Sequence, residues 1–112
     1  MKIVITTGKN DWEGLSDVRF GRAQGFLVYD ENTETVSWYS NEENMNANHG
    51  AGIQASQKVI ELGADVVLTG NLGPKAKSML EKTNTSVYAV SENTTNRQAY
   101  ELFKNGELQK IL

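Results

Sequence analysis

Three short segments carry residue types that favour an anionic ligand. The segment "SDVRFGRAQGF" supplies Arg19 and Arg22, while "NANHGAG" and "TGNLGPKA" each place glycines just before a predicted helix. Glycines let backbone N–H groups approach a ligand closely, and the start of a helix favours negative charge. Glycine-rich helix starts are also common as tight turns. The pattern therefore predicts an anion site but leaves the structural alternative open.

His49, in "NANHGAG", is the only histidine of a chain that has no cysteine. A bare zinc or copper ion needs three or four protein ligands, so an ordinary metal site is not expected. A preassembled metal–sulfide cluster brings its own sulfides and needs one imidazole, or only donors and positive charge. His49 is therefore either a ligand in that setting or an exposed polar residue at a helix start.

The motifs of common catalytic sites are missing from the sequence. There is no Gly-x-Ser-x-Gly elbow, and no nucleophile is recognisably paired with His49. "GNLGPKA" lacks the lysine–serine or lysine–threonine ending of a phosphate-binding P-loop, and "GAG" is not a dinucleotide fingerprint. We therefore predict a protein that is not an enzyme and needs no nucleotide cofactor.

Composition places the chain among ordinary globular domains. Its 112 residues, of which 38% are hydrophobic, predict one domain over residues 1–112. The net charge of −3 argues against a general nucleic-acid binder. No apolar run approaches the roughly 20 residues that span a bilayer, and the N-terminus turns polar too early for a signal peptide. We expect a cytoplasmic protein that contacts neither nucleic acid nor membrane.

The elements that must position these segments alternate between strand and helix. Apolar and β-branched runs predict five strands, near residues 2–6, 26–30, 35–39, 65–69 and 86–90. Helices are predicted to begin at the two glycine-rich segments and after the capping-box pattern Thr95–Gln98. Polar loops join the elements over residues 8–25 and 41–48. This order predicts a mixed five-stranded sheet with helices on both faces.

In such sheets ligands bind beyond the carboxyl ends of the parallel strands, where loops lead into helices. The three segments all follow this rule, because each lies between a strand and a predicted helix or the next strand. Phe20, between the two arginines, is expected to anchor its loop in the core and could also form a wall of the site.

"SDVRFGRAQGFLVYD", then "NHGAGIQASQKVIELGADVVLTGNLGPKA" and finally "FKNGEL" resemble the dinitrogenase iron–molybdenum cofactor biosynthesis family. The resemblance follows nearly the whole chain in order. It implies a three-layer α/β domain with a ribonuclease H-like motif. It also implies a nitrogenase accessory factor-like carrier of the iron–molybdenum cofactor or a precursor cluster. One related type binds a molybdenum–copper sulfide cluster without cysteine ligation.

The resemblance implies that all three segments border the cluster. The implied site residues, with His49 as the one metal ligand, are Arg19, Phe20, Gly21, Arg22, His49, Gly50, Gly52, Gly70, Asn71, Gly73 and Pro74. The leading hypothesis is a non-enzymatic carrier of an anionic iron–molybdenum or molybdenum–(copper)–sulfide cluster, with a cluster donor or acceptor protein as its partner. The alternative is a regulatory module that binds a small anion or a nucleotide phosphate.

Overall fold

One sheet organises the chain, and the computed structural model describes residues 1–47 and 49–112. The strands and helices alternate along the second half of the sequence, as the pattern predicts. In chain order they are β1 Lys2–Thr7, β2 Gly25–Asp30, β3 Thr35–Ser40, α1 Glu42–Met45, α2 Ala51–Glu61, β4 Val66–Thr69, α3 Pro74–Leu80, β5 Ser86–Ala89, α4 Asn96–Lys104 and β6 Gln109–Lys110.

The described strands lie in the order β3-β2-β1-β4-β5-β6. Strands β1, β4 and β5 are parallel, whereas β2, β3 and β6 pair antiparallel with their neighbours. The predicted mixed α/β sheet is confirmed, but the prediction of five strands is wrong. Strand β6 has two polar residues, too few to show a periodic pattern, and it pairs with Tyr88 and Ala89 only because the chain returns beside β5. The ribonuclease H-like motif stays a prediction.

Helices cover both faces of the sheet, as predicted. One apolar cluster joins Val4 and Val67 of the sheet to Ala55 and Val59 of α2 and to Leu80 of α3. The opposite face buries a second cluster that includes Ala99 of α4. Alternate residues of β1 belong to different clusters because successive side chains of a strand point to opposite faces. No helix in the described ranges is long and apolar enough to cross a membrane.

The second polar loop contains a short helix that the sequence does not predict. Residues 42–45 form α1, and the last residue of the predicted loop, Asn48, lies outside the described residues. The buried amide of Asn44 donates to the Ala51 carbonyl at 2.8 Å, and Asn41 donates to the Ala23 carbonyl at 2.9 Å. These two amides join α1 to the start of α2 and to the first loop.

The first polar loop, residues 8–24, is fixed across the top of the sheet. Buried Asn96 of α4 donates to Thr7 Oγ1 at 2.8 Å and to the Asp11 carbonyl at 2.9 Å, and it accepts from Ser16 Oγ at 3.0 Å. The Thr6 hydroxyl donates to the Asp17 carbonyl at 2.6 Å. These bonds hold the segment that follows, Val18 to Ala23, at the carboxyl edge of β1 and β4.

Candidate functional site

The three predicted segments meet around one open cavity of about 380 Å³ at the carboxyl edge of β1 and β4. Its lining residues come from the first loop, from the start of α2 and from the turn before α3. They are Arg19, Phe20, Gly21, Arg22, His49, Gly50, Ala51, Gly52, Asn71 and Gly73. Of the residues predicted for the site, Gly70 and Pro74 are not among them. Ala51 is, although the sequence reasoning did not single it out.

Gly70 has a packing role beneath the cavity. Its N–H and that of Asn71 donate to the Val18 carbonyl at 3.1 and 3.2 Å, and a Cβ at Gly70 would overlap Val18. Arg19 and Asn71 then form an isolated parallel bridge. Gly70 therefore brings the Arg19 segment against the end of β4.

Gly21 has the same packing role at the start of α2. A Cβ there would lie 2.7 Å from the Ala51 carbonyl carbon and 2.8 Å from the Gly52 nitrogen, closer than real Cβ contacts allow. We call Gly21 and Gly70 the seam glycines, because each lets two backbone segments touch. They shape the cavity, and their absence of a side chain is explained by packing alone.

The N-terminus of α2 offers open hydrogen-bond donors. Gly50 precedes the helix with φ +77°, a left-handed conformation that favours glycine, and provides no side-chain cap. The first bond that closes the helix runs from Gln54 N to Gly50 O at 3.0 Å. No acceptor among the described residues binds the N–H groups of Ala51, Gly52 or Ile53.

The turn before α3 is also open. Gly73 is extended, with φ −70°, and no side chain in the described part of the chain caps the seven-residue helix that begins at Pro74. A Cβ at Gly73 would meet nothing within 4 Å, and one at Gly52 would lie 3.5 Å from the Cβ of Ala76, an ordinary contact. Packing therefore does not require glycine at either position. These two glycines, which we call the rim glycines, leave backbone exposed to the cavity.

Arg19 forms an ion pair that the sequence analysis did not predict. Its Nη2 lies 2.9 Å from Asp17 Oδ2, and its Nε donates to Asp17 Oδ1 at 3.1 Å. Burial acts to raise the pKa of Asp17, but the hydrogen bonds and charge of Arg19 outweigh it and lower that pKa. The same hydrogen bonds raise the pKa of Arg19. Its charge is thus partly balanced before any ligand binds. The Asp–x–Arg spacing was the signal for this pair.

Arg22 is half-buried and holds the second loop as well as lining the cavity. Its Nη1 donates to the Met45 carbonyl at 3.1 Å and also to the Ala47 carbonyl. No local sequence pattern predicts these bonds, since the acceptors are backbone atoms more than 20 residues away. Arg22 therefore has a structural role in addition to the ligand-site role that the sequence predicts, and the latter stays a prediction.

His49 and Phe20 both line the cavity, but His49 is exposed and Phe20 is buried. His49 is exposed at the rim, next to Gly50. Phe20 is 3% exposed and belongs to the core beneath α2 and α3, so it anchors its loop as expected. It also contributes to the cavity wall.

The cavity presents donors and positive charge. Its described lining contains two guanidinium groups, one imidazole and backbone N–H groups, and no carboxylate. Among the described residues, no group of three or more His, Cys, Asp and Glu could hold a metal ion. Such a surface suits an anion, whereas a bare cation would find no set of ligands here.

Comparison with known proteins adds a family match. The model of the family described as dinitrogenase iron–molybdenum cofactor matches residues 1–106. An uncharacterized protein of Methanocaldococcus jannaschii is 31% identical over 95 residues, which are 82% of this chain and 79% of that protein.

Two solved structures show the same architecture. The apo form of the orange protein from Desulfovibrio gigas is 38% identical, with a TM-score of 0.90, over 97% of this chain and 91% of its own. A putative NifB protein from Thermotoga is 24% identical, with a TM-score of 0.84, over 98% of this chain and 92% of its own. At that identity the second comparison speaks for the fold alone.

Proposed function

The chain belongs to the dinitrogenase iron–molybdenum cofactor family, and we propose that it is a non-enzymatic carrier of an anionic metal–sulfide cluster. The cargo is an iron–molybdenum or molybdenum–(copper)–sulfide cluster, and it binds in the cavity between the Arg19 segment and the starts of α2 and α3. The observation that carries this proposal is the cavity lining, whose described residues supply open backbone donors and basic side chains without a carboxylate. The family description and the likeness to the apo orange protein support it.

The start of α2 supplies the main attraction in this proposal. An α-helix carries roughly half a positive charge at its N-terminus. Because no side chain among the described residues caps α2, the N–H groups of Ala51, Gly52 and Ile53 are left to bind an external acceptor. A sulfide-rich polyanion is such an acceptor, and the exposed backbone at Gly73 adds a second wall.

Basic side chains complete the site on the remaining side. Arg22 brings its charge while it fixes the second loop, and Arg19 brings a charge that Asp17 partly balances. His49 gives either one nitrogen ligand or a hydrogen bond to a sulfide. Since the chain has no cysteine, the cluster arrives assembled and is held mostly by non-covalent contacts. A donor or acceptor protein for the cluster follows from a carrier role.

Anaerobic incubation with tetrathiomolybdate, with and without a copper salt, tests the proposal. The wild-type protein should keep visible absorbance and molybdenum after gel filtration. The His49→Ala variant should keep less of both, with unchanged thermal unfolding, because an exposed residue contributes little to the core. Absence of bound molybdenum in the wild type under every condition would contradict the carrier function.

Arg22 needs a matched pair of variants because of its structural role. Arg22→Lys keeps the charge and can donate to one carbonyl, whereas Arg22→Ala loses both. If the charge acts on the cluster, Arg22→Lys should retain more cluster than Arg22→Ala, and added salt should narrow the difference. Competition by inorganic phosphate or AMP at equal concentration would instead favour the small-anion alternative.

A further inference from the structure

Strand β3 forms a long and open edge of the sheet. It is the outermost strand on its side, and its six residues pair one-to-one with β2 without a bulge. The opposite edge is β6, which has two residues, one of them Lys110. Natural sheets usually protect their edges with short strands, lysines, prolines or bulges. Among the described strands β6 follows this rule and β3 does not.

The register shows which backbone groups of β3 face outward. Asn41 N donates to Gln24 O at 2.7 Å, and Ser40 lies opposite Gly25. In an antiparallel ladder, alternate residues direct both the N–H and the C=O toward the same neighbour. The outward groups therefore belong to Val36, Trp38 and Ser40. Val36 is 42% exposed, and Ser40 is exposed as well.

The surroundings of this edge are acidic. From residue 23 to residue 57 the sequence contains five carboxylate residues and neither lysine nor arginine. Glu31 forms ion pairs with the N-terminus and Lys104, whereas none of the ion pairs among the described residues involves the other four. Those four flank the two ends of the strand: Asp30, Glu34, Glu42 and Glu43. Lys58 lies over the Tyr39 ring, 5.2 Å from its centroid, and lines a cavity with Ser40 and Glu43, so it offsets part of the negative charge at that end of the strand.

This charge pattern distinguishes between two occupants of the edge. A second copy of the chain, paired along β3 in either direction, would bring acidic ends together and be repelled. A segment with lysine or arginine on both sides of an uncharged stretch would be attracted to the same ends. Main-chain bonds would supply affinity, as in other cases of strand addition.

We propose that β3 docks an extended, basic segment of a partner protein as an added strand. The docked strand would end close to the cavity, because Asn41 follows β3 directly and donates to the carbonyls of Gly21 and Ala23 at 3.1 and 2.9 Å. The inference concerns the sheet edge and requires no cluster. Its test and the test of cluster binding can therefore fail separately.

The experiment uses the full ¹⁵N-labelled chain and two blocked peptides. One is Lys-Lys-Val-Thr-Val-Thr-Lys-Lys, and the other has glutamate in place of every lysine. The basic peptide should shift the amide resonances of Val36, Trp38 and Ser40 and slow their hydrogen exchange, with a weaker effect at high salt. The acidic peptide should leave them unchanged.

Two exposed substitutions serve as a matched pair. Val36→Lys places a positive charge on the edge and should abolish the response to the basic peptide. Val36→Thr preserves the β-branched shape and the outward N–H, so the response should persist. Equal responses to both peptides, no response to either, or slower exchange along β3 with rising protein concentration alone would overturn the proposal. The last result would identify a second copy of the chain as the occupant.

Discussion

The N-termini of α4 and α2 differ in how their backbone N–H groups are bonded, although both helices pack on the same sheet. At α4 the Thr95 hydroxyl accepts from Gln98 N at 3.1 Å, and the Gln98 side chain accepts from Thr95 N at 2.9 Å. The N–H groups of Asn96 and Arg97 donate to loop carbonyls, each at 2.9 Å. The protein thus satisfies every donor of this helix start.

At α2 the corresponding donors have no described acceptor, and two of the residues that carry them, Ala51 and Gly52, line the cavity. Substituting a capping residue by alanine typically costs about 1 kcal/mol of stability, so an uncapped helix forgoes stabilisation that α4 receives. The capped start of α4 contributes to stability, whereas the open start of α2 supports the proposal that it binds a ligand.

Gly73→Asp should remove most cluster binding without loss of stability. The extended conformation of Gly73 suits a capping residue, and a new side chain would meet nothing within 4 Å. The carboxylate would place negative charge at the cavity and repel a polyanion. Molybdenum retained after gel filtration should fall close to background, while urea unfolding shows equal or slightly higher stability. Gly73→Asn, the uncharged control, should retain more molybdenum than Gly73→Asp. The opposite order would show that charge repulsion does not cause the loss of binding.

Gly21→Ala should destabilise the fold, whereas alanine in place of a rim glycine should not. Its methyl group would overlap backbone atoms of Ala51 and Gly52, which cannot move aside as a flexible side chain would. Overpacking of this kind costs about 1–3 kcal/mol. Denaturant unfolding measures the loss, with Gly52→Ala as the control that should cost little. Equal stability of the two variants would show that the contact between Gly21 and the start of α2 is not tightly packed.

Thr95→Ala tests the capped side of the comparison. It removes the side-chain acceptor for Gln98 N and should lower the free energy of unfolding by about 1 kcal/mol. Cluster retention should match the wild type, because α4 packs on the face opposite α2 and α3. A change in retention as large as that of Gly73→Asp would mean that general stability controls binding.

Asp17→Asn should raise cluster retention slightly. The amide oxygen can still accept the Arg19 backbone N–H, now 2.9 Å from Asp17 Oδ1, while the negative charge beside Arg19 is lost. The gain should shrink in high salt, since exposed charges are screened. Molybdenum retained after gel filtration is compared with the wild type at equal protein concentration. A decrease in Asp17→Asn would show that the Asp17 carboxylate supports cluster binding.

The sequence predicted the elements whose pattern is local. The buried strands, the helix at Ala51 and the Thr95–Gln98 capping box each follow from residues that are neighbours in the chain. The three site segments were found for a related reason, since strand ends and glycines mark the ligand edge of such sheets.

Long-range hydrogen bonds account for what the sequence did not predict. The second function of Arg22 depends on carbonyls of a distant loop, and buried Asn96 binds atoms more than 80 residues away. Polar residues in those positions look like ordinary surface residues in the sequence. Strand β6 likewise depends on where α4 directs the chain.

Amide NMR of the protein before and after loading with the molybdenum–sulfide cluster shows whether the start of α2 binds the cluster. The resonances of Ala51, Gly52 and Ile53 should shift, and their hydrogen exchange should slow. Those of Arg97 and Gln98, whose N–H groups already have acceptors, should stay unchanged. Cluster binding with no response at the start of α2, or with an equal response at α4, would rule out the start of α2 as the binding site.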